Sequence, residues 1–457
     1  MTADKKLLTV ANGDRGQAAP RVAPLYKRLP SGPHRLEREE VMRHQRIRIH
    51  GAMVEAVAAN GYEGTSVKQV IALAGVSRRS FYEQFANKQE CLLATFDLLA
   101  GNAVRRAGDA YLASDGPLEE RLRAALAEFA HSIVENRKAA QLVILETQTA
   151  GVPGLMRLRR ATATCERMLC KSFMTDPEAS PLPIPVVRGI AGGLHAALSA
   201  WVREGSAIGT SQLTEEMLEW TLRFQTPAAA RMAELISARV TRTMRSGPPS
   251  GRERRAAIAR DAGARERLME NALRLATVED LRELSAPRIA EEADVSIDAF
   301  FELFASKDDC YLAALEMLAG ELLRVTAGEG PAAPDWPGAV RRAIGELMLC
   351  LADRPHYART IAAEAFAAGP RAVQGNVELA RALATLLTEG APGGTPGRLT
   401  VDAVGGAIWN TVRCQVASGR VQLLPALADH LSYVVLAPFI GADAAAEVVS
   451  EDRPAAC

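Results

Sequence analysis

SVKQVIALAGVSRRSFYEQFANK, residues 66–88, decides the fold. Ser66 followed three residues later by Gln69 is a capping-box start, and Val67, Val70, Ile71 and Ala74 fall at helical spacing on one face, which predicts a short helix over about 66–73. Ala74-Gly75-Val76 supplies a turn: Gly75 stands where the chain needs a left-handed backbone, and Val76 can fill the angle between two helices. Ser77 can cap a second helix, over about 77–85, on which Phe81 and Phe85 lie four apart and face inward. Arg78, Arg79, Ser80, Tyr82 and Gln84 are left on or near the opposite surface, with Lys68 on the helix before. Asn87 and Glu90 form a second capping box, which puts Lys88 in the first turn of the next helix. The pattern is a helix-turn-helix whose outer face carries donors suited to a major groove.

From the Gly61-Tyr62 pair through the Ala74-Gly-Val-Ser77 turn to the Tyr82-x-x-Phe85-x-x-Lys88 ending, the chain resembles the N-terminal DNA-binding domain of the TetR (tetracycline repressor-like) family. The resemblance covers roughly Arg46 to Arg106, including a preceding helix with the apolar stripe Ile49, Met53, Ala56 and Val57 that ends at Asn60-Gly61. It implies that the 77–85 helix reads bases, that Ser77, Arg78, Arg79, Ser80, Tyr82 and Gln84 face DNA, and that Tyr82 and Lys88 hold phosphates. It also implies a following domain, all helical, that encloses a small-molecule inducer and dimerises.

The 457 residues are 48% hydrophobic, enough for two or more cores, and carry 54 basic and 54 acidic side chains, so DNA affinity has to come from a local patch. Seven cysteines without framework spacing fit a reduced, cytoplasmic protein, and no stretch is expected to span a membrane. Residues 1–45 are rich in proline and glycine and read as a disordered arm; residues 1–50 hold eleven Lys/Arg against five Asp/Glu, charge that suits either a DNA backbone or solvent.

Beyond the motif, residues 46–107 form the helix-turn-helix domain, and 108–245 read as further helices, the last running from Thr214 towards Thr243 with a kink at Pro227. Arg245-Ser-Gly-Pro-Pro-Ser-Gly251 opens a linker over 246–263. A shift of 219 residues then matches the chain to itself: Ala74-Gly-Val-Ser77 falls on Ala293-Asp-Val-Ser296, Tyr82-Glu-Gln-Phe85 on Phe301-Glu-Leu-Phe304, and Lys88 on Lys307. A second helix-turn-helix domain is therefore expected over 264–326, a second helical domain over 327–445 and a tail over 446–457. The fold class is all-α: two TetR-like units in tandem.

The copies differ in charge. Residues 68–88 hold four Lys/Arg against one Glu, whereas 287–307 hold two basic against five acidic side chains. Arg78, Arg79 and Ser80 become Ile297, Asp298 and Ala299, and Tyr82 becomes Phe301, so the second motif is expected to be degenerate. Catalytic signatures and metal-ligand spacings are missing; Cys165 and Cys170 read as apolar fillers, and neither an enzyme nor a cofactor is expected. Polar or aromatic residues on apolar helices of unit one, His131, Glu146, Gln148, Arg157, Trp201 and Arg203, are candidate inducer contacts, each with a structural alternative; Glu146 and Arg157 could pair with each other. Two functions follow: a ligand-responsive repressor on a palindromic operator, acting as a homodimer or an intrachain pseudo-dimer, or an interaction protein that has kept a repressor scaffold without binding DNA.

Overall fold

A computed structural model describes residues 38–177, 179–205, 208–228, scattered positions over 232–241, and 263–279, 281, 283–328, 335–364, 369–394 and 397–451. The linker core 246–262 and the arm up to residue 37 lie outside these, as does most of the expected helix beyond Ala228. All elements among the described residues are helical.

Unit one begins with α1 (Arg38–Gly64), broken at Gly61, where φ is +67°. Residues 38–45, expected in the arm, are thus helical: no Gly or Pro intervenes between Pro33 and Gly51, and Glu39 and Glu40 in the first turn suit the helix dipole. Next come α2 (Val67–Ala74), α3 (Arg78–Tyr82) and α4 (Lys88–Ala113). The body consists of α5 (Leu118–Glu135), α6 (Arg137–Gln141), a π-helical turn (Leu142–Glu146) leading into a 3-10 turn (Thr147–Ala150), α7 (Val152–Thr175), α8 (Ile184–Arg203) and α9 (Thr210–Leu222). The helix expected to start at Thr214 starts at Thr210 and ends ahead of Pro227.

Unit two repeats the order with α10 (Ala264–Ala276), α11 (Ala286–Glu292), α12 (Ile297–Leu303) and α13 (Lys307–Ala327). Its body comprises α14 (Trp336–Asp353), α15 (Pro355–Arg359), a π-helical turn (Thr360–Glu364), α16 (Pro370–Thr388), α17 (Arg398–Ala417), α18 (Ala428–Ile440) and α19 (Ala442–Ser450). The expected tail is helical as far as Ser450, because Ala446 and Val449 are buried. Val421–Ile440 has the length and apolarity of a membrane span, but most of it is buried against neighbouring helices.

The units join through an antiparallel crossing of α8 on α17. The backbones meet at Gly192 and Gly406: a Cβ on Gly406 would lie 2.5 Å from the Gly192 carbonyl oxygen and 2.3 Å from Ala196 Cβ. Only glycine permits that approach. Asn410 Nδ2 donates to the Arg188 carbonyl at 2.9 Å, and the Tyr433 hydroxyl donates to the Phe224 carbonyl at 2.7 Å. Arg223 reaches the Pro438 carbonyl. Among the described residues the pairing rests on α8 and α17, whose glycines allow the close contact.

The two heads sit differently in the apolar interior. Ile49, Met53, Val70, Phe81, Phe85, Leu92 and Phe96 form a separate cluster in head one, closed by Leu142 and Leu158 from the body. In head two Leu268, Phe300, Phe304 and Cys310 belong to the large cluster that runs through the unit-two body and into α8 and α9.

Candidate nucleic-acid interface

Local capping sets α2 and α3. Ser66 Oγ accepts from Gln69 N while Gln69 Oε1 accepts from Ser66 N at 2.7 Å, closing the capping box. Gly75 takes φ +59° and ψ 40°, the left-handed cap, so the turn is held by backbone geometry. Ser77 Oγ accepts from Ser80 N at 3.0 Å and starts α3. Asn87 Oδ1 accepts from Glu90 N at 2.8 Å and starts α4. Phe81 and Phe85 are buried, anchoring the motif from beneath.

The outer face then holds Lys68, Arg78, Arg79 and Tyr82, all exposed. Arg79 is 87% exposed and pairs with Glu83 at 3.0 Å, a contact across one helical turn that solvent weakens. The Arg78 guanidinium lies 5.6 Å from the centre of the Tyr82 ring. Ser77 is exposed and Ser80 half-buried, their hydroxyls 2.8 Å apart. Gln84 is turned partly inward, and its amide nitrogen is buried with no hydrogen-bond partner among the described residues.

Lys88 is placed differently from the other cations. Its Nζ donates to the Tyr62 carbonyl at 2.9 Å and sits 4.2 Å from the centre of the Tyr62 ring, closing the end of α1. Lys307 repeats the bond, donating to the Leu281 carbonyl at 2.7 Å. Two arginines behave in the same way: Arg48 donates to the Ala74 carbonyl at 2.9 Å and Arg267 to the Ala293 carbonyl at 3.1 Å, while Arg46 and Arg265 lie over the Phe85 and Phe304 rings. These three pairs of cations hold the fold in both heads. Arg78 and Arg79 hold nothing comparable, and their counterparts are Ile297 and Asp298.

Head two keeps the backbone and loses the chemistry. Asp294, in place of the turn glycine, adopts φ +52°, so the left-handed conformation survives with a side chain present. Its exposed face carries Phe301, and Arg288 is drawn into contacts with Glu279, Glu291 and Glu292.

The six candidate inducer contacts are dispersed. His131 is exposed on α5, 3.3 Å from Glu135. Arg157 pairs with Asp97, not with Glu146. Glu146 Oε2 instead accepts from the Tyr62 backbone N–H at 2.9 Å, so one residue of the head, Tyr62, is tied to the body through its N–H and to α4 through its carbonyl. Gln148 is buried in the 3-10 turn beside this tie, and Gln89 of α4 donates to the Ala150 carbonyl at 2.8 Å. Trp201 is buried, its indole N–H donating to the Ile208 carbonyl at 3.0 Å, and Arg203 is half-buried. Trp201 lines a cleft of about 520 Å³ between the units, with Glu216, Trp220 and Arg223 on one side and Arg398 and Asp402 on the other. No spacing in the chain announces this cleft, because its two walls come from segments far apart in sequence.

Taken together, these elements define a tandem helix-turn-helix protein of which each unit is a three-helix head followed by a helical body. Residues 51–95 and 268–314 both match the bacterial regulatory proteins of the tetR family, and the chain is a tandem of two TetR-like units. No curated protein matches the chain. Among solved structures, the transcriptional regulator FadR from Bacillus subtilis, determined in complex with stearoyl-CoA, is similar at 19% identity and a TM-score of 0.35 over 38% of this chain and 97% of its own. The fatty acid degradation regulator FadR from Bacillus halodurans gives 20% and 0.36 over 39% and 94%, and a TetR family transcription regulator from Marinobacter aquaeolei VT8 gives 22% and 0.30 over 40% and 95%.

Proposed function

We propose that the chain is a ligand-responsive transcriptional repressor that reads its operator through α3 and its flanks, Ser77–Phe85, of head one alone. One observation carries this reading: the cations that both heads share have structural partners, whereas Arg78 and Arg79 occur only in head one and stand exposed beside Tyr82 on the face a major groove would meet. An exposed arginine that does no work for the fold is the residue type expected at a base edge, where a bidentate contact to guanine contributes ~1–3 kcal/mol of discrimination. Lys88 acts as a positioning residue, and Tyr82, Ser77 and Lys68 lie within reach of the flanking phosphates.

The separate core of head one fits a head that tilts as a unit, and the Glu146–Tyr62 tie at the end of a π-helical turn is the place where movement of the body would be felt. A ligand that shifts this turn changes the angle of the reading helix; that is the inducer response we infer. With one competent head per intrachain pair, two chains associate on a palindrome to bring two reading helices about one DNA turn (~34–36 Å) apart. The interaction-protein alternative leaves the Arg78–Arg79–Tyr82 face without a purpose. Selection of bound genomic fragments at physiological salt, followed by titration of Arg78→Ala and Arg79→Ala on a selected fragment, tests the reading. Loss of affinity in both supports it, and full affinity in both overturns it.

A further inference from the structure

The cleft of about 520 Å³ between α8, α9 and α17 takes its walls from both units. Its volume lies in the range of small-molecule sites, roughly 300–1,000 Å³. Trp201 and Trp220 line its unit-one side. Their indole N–H groups are committed to the Ile208 carbonyl at 3.0 Å and the Ile190 carbonyl at 3.1 Å, so what the indoles offer the cleft is ring surface and not a donor.

The charges around this surface are unevenly matched. Glu204 accepts from Arg398 and from Arg381 at 3.2 Å, Asp402 accepts from Arg381 at 2.8 Å, and Glu219 is paired with Arg223. Both arginines that line the cleft, Arg223 and Arg398, are thereby engaged with carboxylates of the same walls. Glu216 is left over. Half-buried on α9, it meets no cation among the described residues; its partner is the Gln212 side-chain amide, which donates at 2.9 Å. Glu216 and Trp220 are four apart on α9 and share a face, so an uncompensated carboxylate stands beside an indole ring. An anion entering here meets Glu216 and has to draw Arg223 or Arg398 from its carboxylate. A cation meets neither obstacle: Glu216 attracts it, and a tryptophan ring adds a cation–π contact.

The same wall leads to the head. Trp201 packs in one buried cluster with Leu198, Leu213, Met217 and Ile144, against which Leu399 of unit two lies. Ile144 belongs to the π-helical turn that ends at Glu146, the residue tied to Tyr62 of head one.

We propose that this cleft binds a small organic cation, an ammonium or guanidinium on an apolar body, with Glu216 as its counter-charge and Trp201 and Trp220 as its apolar wall. The cleft gives a chemical class and a location to the effector proposed above and rests on that reading only for its regulatory meaning; the test below uses no DNA, so its failure and the failure of the DNA-binding reading are separable.

The test is titration of the full chain with benzylammonium, followed by tryptophan fluorescence, beside neutral benzyl alcohol and anionic benzoate at equal ionic strength. Benzylammonium should bind at least about fivefold more tightly than benzyl alcohol, and benzoate more weakly than either. Glu216→Gln, which removes the charge and keeps the shape, should abolish the preference for the cation and leave the affinity for benzyl alcohol unchanged. Glu215→Gln is the control: Glu215 is the neighbouring carboxylate on α9, lies outside the cleft lining and pairs with Arg123 at 2.8 Å, so the preference should persist. No saturable response to benzylammonium, equal affinity for benzylammonium and benzyl alcohol, tighter binding of benzoate, a cation preference that survives Glu216→Gln, or an equal loss in Glu215→Gln overturns the proposal.

Discussion

Replacing Gly406 by alanine tests the packing of the two units. Its Cβ would meet Ala196 Cβ at 2.3 Å and the Gly192 carbonyl oxygen at 2.5 Å, well inside van der Waals contact, and both are parts of a rigid helix. The helices have to separate by roughly 1 Å, and overpacking of this kind costs ~1–3 kcal/mol. Alanine also brings a helix-propensity gain of ~0.8–1 kcal/mol over glycine, which partly masks the clash. Gly320 provides the matched control: it lies within α13, and its Cβ would meet nothing within 4 Å. Gly320→Ala should therefore stabilise by about the propensity term alone, leaving Gly406→Ala less stable than Gly320→Ala by ~1–3 kcal/mol. Urea unfolding followed by far-UV circular dichroism compares the midpoints of the two variants with wild type. Equal midpoints for Gly406→Ala and Gly320→Ala would refute the close crossing and with it the intrachain pair.

Further outcomes follow from individual contacts. Lys88→Met should destabilise head one, because it removes a charge-assisted bond worth ~1.5–3 kcal/mol and a cation–π contact worth ~0.5–1 kcal/mol, and Lys307→Met should cost less because Leu281 offers no ring; urea midpoints measure both. Asp294→Gly should stabilise the chain by about 1 kcal/mol, since φ +52° suits glycine, whereas Gly75→Ala should lower the thermal midpoint. His50 is buried against Thr95 Oγ1, with Arg46 nearby, and its pKa is lowered to about 4. A histidine that stays neutral when folded takes up its proton more readily once unfolded, so its contribution is complete above about pH 6.5 and is lost as the pH falls towards 4. Stability measured across that window should fall less steeply in His50→Gln than in wild type.

Local physics made much of the fold legible in the sequence. Ser66-x-x-Gln69, Ser77 and Asn87 form their caps with partners three residues away, and Gly75 and Asp294 enter the left-handed region at corresponding turns. The repeat was equally readable, because it asks only that one pattern occur twice. What the sequence hid lies in contacts between distant segments. Lys88 stands in a first helical turn, open to a phosphate role, until the carbonyl of Tyr62, 26 residues earlier, is found at its Nζ. Glu146 and Arg157, eleven apart on apolar helices, suggest each other as partners, yet each turns to the head or to α4 instead. Gly192 and Gly406 lie in different units, and only packing shows that they touch.

The central claim is that head one reads DNA and head two does not. Fluorescence anisotropy titrations on one selected genomic fragment measure it most directly, comparing wild type with Arg79→Ala in α3 and Phe301→Ala at the exposed face of α12. The account predicts about a 5- to 150-fold loss for Arg79→Ala, the equivalent of ~1–3 kcal/mol, and unchanged affinity for Phe301→Ala. Undiminished binding by Arg79→Ala, or a loss of similar size on Phe301→Ala, would contradict it.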